Sequence, residues 1–271
     1  MIFAYIIILL VIGTVAFHFW SPWYLTELAS NWGGMDDALL ITFVICGVVF
    51  VAINLFMAYA VIKYRNRDGL KADYEPENKK LEWWLTSITA VGVIGLLAPG
   101  LAVWDDFVTV PEDAIVIEAV GQQWTWSFRY PGEDGILGAV DPEFMTIDNP
   151  FGINPDDPYG MDDVLVEDNE GRVPMGGPIK LALRSKDVLH DFAVPQFRAK
   201  MDLVPGVETY FWFEPTRAGT FEILCAELCG TGHYTMRGTL IVEEKEAFDA
   251  WLAEQPTYQD LAAENVAALQ D

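Results

Sequence analysis

The chain has 271 residues, is 52% hydrophobic and carries a formal net charge of −24. That charge argues against nucleic acid as a partner, which needs a basic footprint, and suits a cationic protein steered in by long-range attraction. High apolarity and high charge sit poorly in one soluble domain and predict a divided chain: residues 105–271 hold 32 of the 40 acidic and 10 of the 16 basic residues, hence −22 of the −24. Three cysteines make no disulfide framework, and no internal repeat is evident.

Three apolar runs fill residues 1–104. The first, residues 2–20, lacks a basic leader and a small-residue cleavage pattern before Ser21. It therefore reads as an uncleaved membrane helix rather than a secretory signal, and it ends in an aromatic belt of Phe17, Phe19, Trp20, Trp23 and Tyr24. His18 sits at that end with no partner ligand near it in sequence. The second run, 38–62, contains Cys46, which reads as packing. All six basic residues of this half (Lys63, Arg65, Arg67, Lys71, Lys79 and Lys80) follow in one loop. The positive-inside rule puts that loop in the cytoplasm. The third run, 83–104, carries the chain out again, so residues 105–271 are expected in the bacterial periplasm and the N-terminus inside. Glu82 opens this third helix, where a carboxylate suits the dipole.

From residue 113 the periodicity changes to two. Strands are expected at 114–120, 123–130, 179–184, 207–213, 220–224 and 238–242, with a short one at 164–167 inside a long acidic insertion at 132–177. Residues 245–254 read as a short amphipathic helix, and the tail from 256 as surface chain. The fold class is thus three transmembrane helices followed by an all-β domain, a sandwich or Greek-key barrel.

Chemistry concentrates in Cys225-Ala-Glu-Leu-Cys229-Gly-Thr-Gly-His233-Tyr-Thr-Met236. Thiolate and thioether are soft donors that suit copper, and imidazole suits copper and zinc alike. A disulfide would leave His233 and Met236 unexplained, and zinc rarely takes a thioether. One Cys, one His and one Met would suggest a mononuclear copper site, whereas a second thiol four residues on can bridge two ions. Gly230 and Gly232 demand a loop here. A second imidazole is available at His190, between two strands. With it, and with the Glu227 carbonyl as a last weak donor, two coppers bridged by Cys225 and Cys229 would each gain one imidazole and one weak ligand.

The Cys-x-Glu-x-Cys-x-x-x-His-x-x-Met run, the upstream Asp-Val-Leu-His, the aromatic Gln-Trp-x-Trp-Ser-Phe and a preceding membrane hairpin resemble subunit II of the haem–copper cytochrome c oxidases, over roughly residues 38–252. The resemblance implies a cupredoxin-like Greek-key domain with a dinuclear CuA centre on a membrane anchor. Its ligands would be His190, Cys225, Glu227 through its carbonyl, Cys229, His233 and Met236. It also implies a magnesium ion reached by Glu227 at the interface with subunit I. Trp124 would pass electrons from docked cytochrome c, and Glu82 would stand at the mouth of a proton path serving subunit I. Some features depart from the family: the extra first helix, Thr89 where a proline is common, Gln122 where a His is common, Lys186 in place of a docking carboxylate, and the long acidic insertion. No Cys-x-x-Cys-His is present, so no fused cytochrome c domain is expected.

The reading is an electron-accepting subunit of a terminal oxidase in the bacterial inner membrane. It is divided as 1–104 anchor, 105–255 CuA domain and 256–271 tail. It would receive electrons from cytochrome c or another cationic donor and pass them to haem in subunit I, where oxygen is reduced and protons are pumped. Its partners are subunit I, other oxidase subunits, the donor and lipid. Two alternatives stay open: the CuA subunit of a related nitric oxide reductase, and a membrane-anchored copper carrier or assembly factor.

Overall fold

Long apolar runs with few charges become helices despite their many β-branched residues, because a helix satisfies the backbone groups within the run itself. In the structure, a computed structural model, these are α1 (Ile2–Trp20), α2 (Gly33–Lys63) and α3 (Lys79–Val108). All three are long and apolar enough to cross a membrane. Residues 1–20, 26–69, 71, 74, 76–147 and 149–268 are described, with backbone alone for 264–268. Trp23 and Tyr24 of the expected aromatic belt lie outside the described residues, as do the last three residues of the tail. α1 matches its apolar run, whereas α2 and α3 outrun theirs because polar ends cost a helix little once it is nucleated. α3 starts where Asn78 caps it, its Oδ1 accepting from Leu81 N at 3.0 Å. Small residues bring α1 onto α2: Ala4 and Ile7 bury against Ala58, flanked by Ile8, Val61 and Ile62.

The chain divides into two compact units. One comprises Met1–Leu25 and Gly34–Trp104, the other Thr26–Gly33 and Asp105–Asp271. Among the described residues the second unit is built on ten strands: β1 (Ile115–Gln122), β2 (Thr125–Tyr130), β3 (Val164–Val166), β4 (Glu170–Pro174), β5 (Ile179–Ser185), β6 (His190–Val194), β7 (Ala199–Leu203), β8 (Thr209–Phe213), β9 (Gly219–Cys225) and β10 (Arg237–Glu243). They form two sheets, ordered β3-β2-β1-β5-β8 and β4-β10-β9-β6-β7. Trp126, Phe128, Phe192, Phe211 and Phe213 are fully buried, and Phe192 meets Trp126 and Phe128 edge to face.

Several expectations change. The stretch 123–130 is not one strand, because Gln123 and Trp124 form the tip of a hairpin in which Gln122 pairs with Thr125. Trp124 has the same parity as Trp126, Phe128 and Tyr130, so alternation cannot separate turn from strand here. The strands β4, β6 and β7 had no signal. β6 is buried along its whole length and shows no alternation, while β4 carries a glycine and ends in Pro174.

The tail is not simply surface chain. After α4 (Lys245–Leu252) comes α5 (Tyr258–Ala268). Tyr258 is buried with Val120, Phe151, Ile153 and Leu165, and its backbone N donates to Asp163 O at 2.7 Å.

Two devices hold the domain's periphery. Thr26–Gly33 lies as a strap along it: Ala29 N donates to Gln196 O at 2.8 Å, Thr216 N to Ala29 O at 3.0 Å, and Trp32 Nε1 to Trp212 O at 2.9 Å. The acidic insertion is fastened by a buried charge cluster. Arg129 bridges Glu118 at 2.5 Å and Asp163 at 2.6 Å and donates to Gly138 O at 2.9 Å. Arg184 pairs with the other Glu118 oxygen and donates to Phe151 O at 3.1 Å.

Candidate metal centre

The centre is assembled where two strand ends meet. β6 pairs antiparallel with β9, Phe192 opposite Cys225, which brings His190 at the start of β6 to Cys225 at the end of β9. The loop from β9 to β10 is closed by Cys225 N donating to Met236 O at 3.2 Å. Gly230 has φ +122°, a conformation that favours glycine. A Cβ on Gly232 would lie 2.3 Å from the Trp124 ring, so only glycine lets that indole lie against the loop.

Within this frame the two thiols face each other, Sγ to Sγ 3.6 Å, and both cysteines are free. Each thiol has its own imidazole: Cys225 Sγ is 3.9 Å from His190 Nδ1, and Cys229 Sγ is 3.6 Å from His233 Nδ1. Each also has a weak donor. Cys225 Sγ lies 3.2 Å from the Glu227 carbonyl oxygen, and Cys229 Sγ lies 3.8 Å from Met236 Sδ. The donor atoms of His190, Cys225 and Cys229 lie within 4.8 Å of one another. His190 is fully buried, and Cys229 and Met236 nearly so. Burial, and then the neighbouring Cys225, push the Cys229 thiol up to about 11. Two thiols, two imidazoles, a thioether and a carbonyl form a soft set that fits copper better than a hard cation.

The surroundings orient these donors. His190 Nε2 lies 2.8 Å from Asp187 Oδ1, which leaves Nδ1 turned to the thiols. Asp187 also accepts from Gln123 N and Val188 N, at 2.8 and 2.7 Å. Burial works against its charge, but the hydrogen bonds from Gln123, His190 and Val188 outweigh it and hold the carboxyl below its ordinary value. Gln123 Nε2 donates to Cys229 O at 2.8 Å. Asp187 and Gln123 therefore tie the Trp124 turn to both halves of the cluster. Neither was singled out from sequence for this; the one available signal was an Asp three residues before a His. Trp124 itself is 36% exposed, with one face toward the loop and one toward solvent.

Glu82 is not in this cluster; it lies in the first turn of α3, in the other compact unit. Lys186, beside the centre, sits 5.5 Å over the Phe151 ring, and burial lowers its ammonium below the usual value.

Comparison with known proteins gives the following. The family described as cytochrome C oxidase subunit II, periplasmic domain, matches residues 115–244. The alternative cytochrome c oxidase subunit 2 of Bradyrhizobium diazoefficiens is 55% identical over 262 residues, covering 97% of this chain and 95% of that one. Cytochrome c oxidase subunit 2 of Cereibacter sphaeroides is 29% identical over 222 residues, covering 77% and 72%. Among solved structures, the periplasmic domain of cytochrome oxidase subunit II of Bradyrhizobium japonicum is 30% identical, with 54% of this chain and 95% of that one covered at a TM-score of 0.40.

Proposed function

The chain belongs to the cytochrome c oxidase subunit II family, with three apolar helices and a cupredoxin-like domain, and from that premise we propose that it is the electron-accepting subunit of a haem–copper terminal oxidase. The observation that carries the proposal is the facing pair of free thiols, each with its own imidazole and its own weak donor. His190, Cys225, the Glu227 carbonyl, Cys229, His233 and Met236 would hold two copper ions. When bound there, a copper pair supplies one-electron redox chemistry.

The chain's own residues do the rest. Burial of His190, Cys229 and Met236 excludes water, and donors fixed by the β6–β9 pairing and the closed loop cannot rearrange as charge changes. Asp187 keeps a proton on His190 Nε2 and the Nδ1 lone pair free. Trp124 joins the outer surface to the loop, with its ring against Gly232, and relays the incoming electron. The donor is cytochrome c or another cationic protein, steered by the −22 carried on residues 105–271. Electrons leave for haem in subunit I, where oxygen reduction and proton pumping take place. Glu227 would reach a magnesium ion at that interface, and Glu82 would open a proton path. α1–α3 anchor the chain in the bacterial inner membrane, with the β domain in the periplasm.

Trp124→Phe tests the relay. Donor oxidation by the assembled oxidase should slow by about tenfold or more, a barrier increase of ~1.4 kcal/mol, with copper content unchanged. Unaltered turnover would remove Trp124 from the route.

A further inference from the structure

Asn169 sits in the turn between β3 and β4, within the acidic insertion. Its φ is +65°, a left-handed conformation that asparagine adopts more readily than most side chains. Asp168 supports the turn, its Oδ1 accepting from Glu170 N at 3.0 Å. The conformation lets one residue hold two strands. The Asn169 Oδ1 accepts from Trp126 N, in β2, at 2.8 Å, and its backbone carbonyl accepts from Thr239 N, in β10, at 2.9 Å. A Cβ on Gly238 would lie 2.8 Å from Asn169 O and 2.9 Å from Trp126 Cδ1, so these three residues meet with no room for a methyl group.

Both strands lead directly to the metal centre. Thr239 follows Met236 by three residues, and Trp126 follows Trp124 by two. Trp126 is fully buried, and its indole meets the His190 imidazole edge to face with centroids 6.4 Å apart. The two rings close over Gly121, where a Cβ would lie 3.2 Å from His190 Cδ2 and 3.3 Å from Trp126 Cζ3. Asp187 holds the imidazole at Nε2, a single contact about which a ring can still swing. A packed neighbour removes that freedom. The indole is that neighbour, and Asn169 fixes the backbone that carries it.

We propose that Asn169 is a positioning residue for the His190 half of the copper centre, its side chain fixing β2 at Trp126 and the indole in turn fixing the plane of the imidazole. The proposal rests on the copper reading given above. The Asn169 carbonyl makes a separate link to β10 that does not depend on the side chain, so loss of the side chain loosens the His190 half and spares the His233 half.

Two substitutions in the assembled oxidase separate the side chain from the turn. Asn169→Gly keeps the left-handed backbone and the carbonyl to Thr239 but removes the acceptor for Trp126, whereas Asn169→Asp keeps the acceptor. Copper affinity in chelator competition should fall several-fold in Asn169→Gly and match the wild type in Asn169→Asp. Electron–nuclear double resonance at the imidazole nitrogens should show one coupling shifted and the other unchanged in Asn169→Gly, with both as in the wild type in Asn169→Asp. A turn that only supports the fold would lower the unfolding midpoint and leave affinity and both couplings unmoved, which would overturn the proposal. Equal losses in the two variants, a shift of both couplings together, or failure of Asn169→Gly to keep a folded β domain would overturn it as well. A wild-type complex without two coppers in this subunit would instead overturn the copper reading, and the proposal with it.

Discussion

The soft donors at His190 and Cys225–Met236 and the charges of Glu118, Arg129, Asp163 and Arg184 are both buried polar clusters on paired strands, but they differ in what they leave uncompensated. The second balances its own charge. Two guanidiniums meet two carboxylates and also donate to the Gly138 and Phe151 carbonyls, although Asp163 Oδ1 keeps no partner among the described residues. The first is built of donors alone: two thiols face each other, each beside an imidazole, and one thiol is pushed up to about 11 by burial and its neighbour. A self-neutral cluster fastens the fold, here pinning the acidic insertion to β1, β2 and β5. An incomplete one is a place for a ligand, and its donor types select which ligand.

Exchanging the roles of the two clusters gives the largest effects. Cys229→Ser should remove the copper pair and lower turnover of the assembled oxidase by more than about a hundredfold, ~2.7 kcal/mol, while thermal unfolding of the copper-free chain barely moves. Arg129→Met should do the reverse. It leaves two buried carboxylates facing a smaller counter-charge and costs roughly 3–5 kcal/mol of stability, read by denaturant unfolding, while copper per folded chain stays the same. If Arg129→Met instead lost copper selectively, the division between fastener and ligand site would fail.

Two smaller effects sharpen the contrast. Asp187→Asn keeps the fold but weakens the hold on His190, so copper affinity in chelator competition should fall about 10–100-fold. In the charge cluster, burial lifts Asp163 up to about 6 against the pull of Arg129. A carboxyl with a higher pKa folded than unfolded takes up a proton on folding, so it adds stability as pH falls through about 6 and no more below about 4. Relative to Asp163→Asn, the wild type should therefore gain up to roughly 3 kcal/mol between those limits. Parallel pH profiles of the two proteins would contradict this.

What was legible in the sequence follows the range of the interactions. The helices declare themselves by apolar length alone. Cys225, Cys229, His233 and Met236 fall within one loop, so their proximity is local, and their residue types are informative without a structure. His190 was legible as the remaining imidazole, but the strand that carries it was not, because β6 is buried along its whole length and shows no alternation. The turn at Gln123 and Trp124 hid inside an uninterrupted aromatic alternation, and with it the Asp187 and Gln123 hydrogen bonds that cross from one loop to another. The strap at Thr26–Gly33 and the docking of Tyr258 were equally silent, since each depends on backbone partners distant in sequence.

The most direct test of the central claim is the EPR spectrum of the purified full-length chain in its assembled complex, taken with copper quantitation of the same sample. The account predicts two coppers in this subunit sharing one unpaired electron, with the hyperfine pattern spread over both nuclei. A single copper with the pattern of one nucleus would contradict it, and would leave the second thiol of the facing pair without a role.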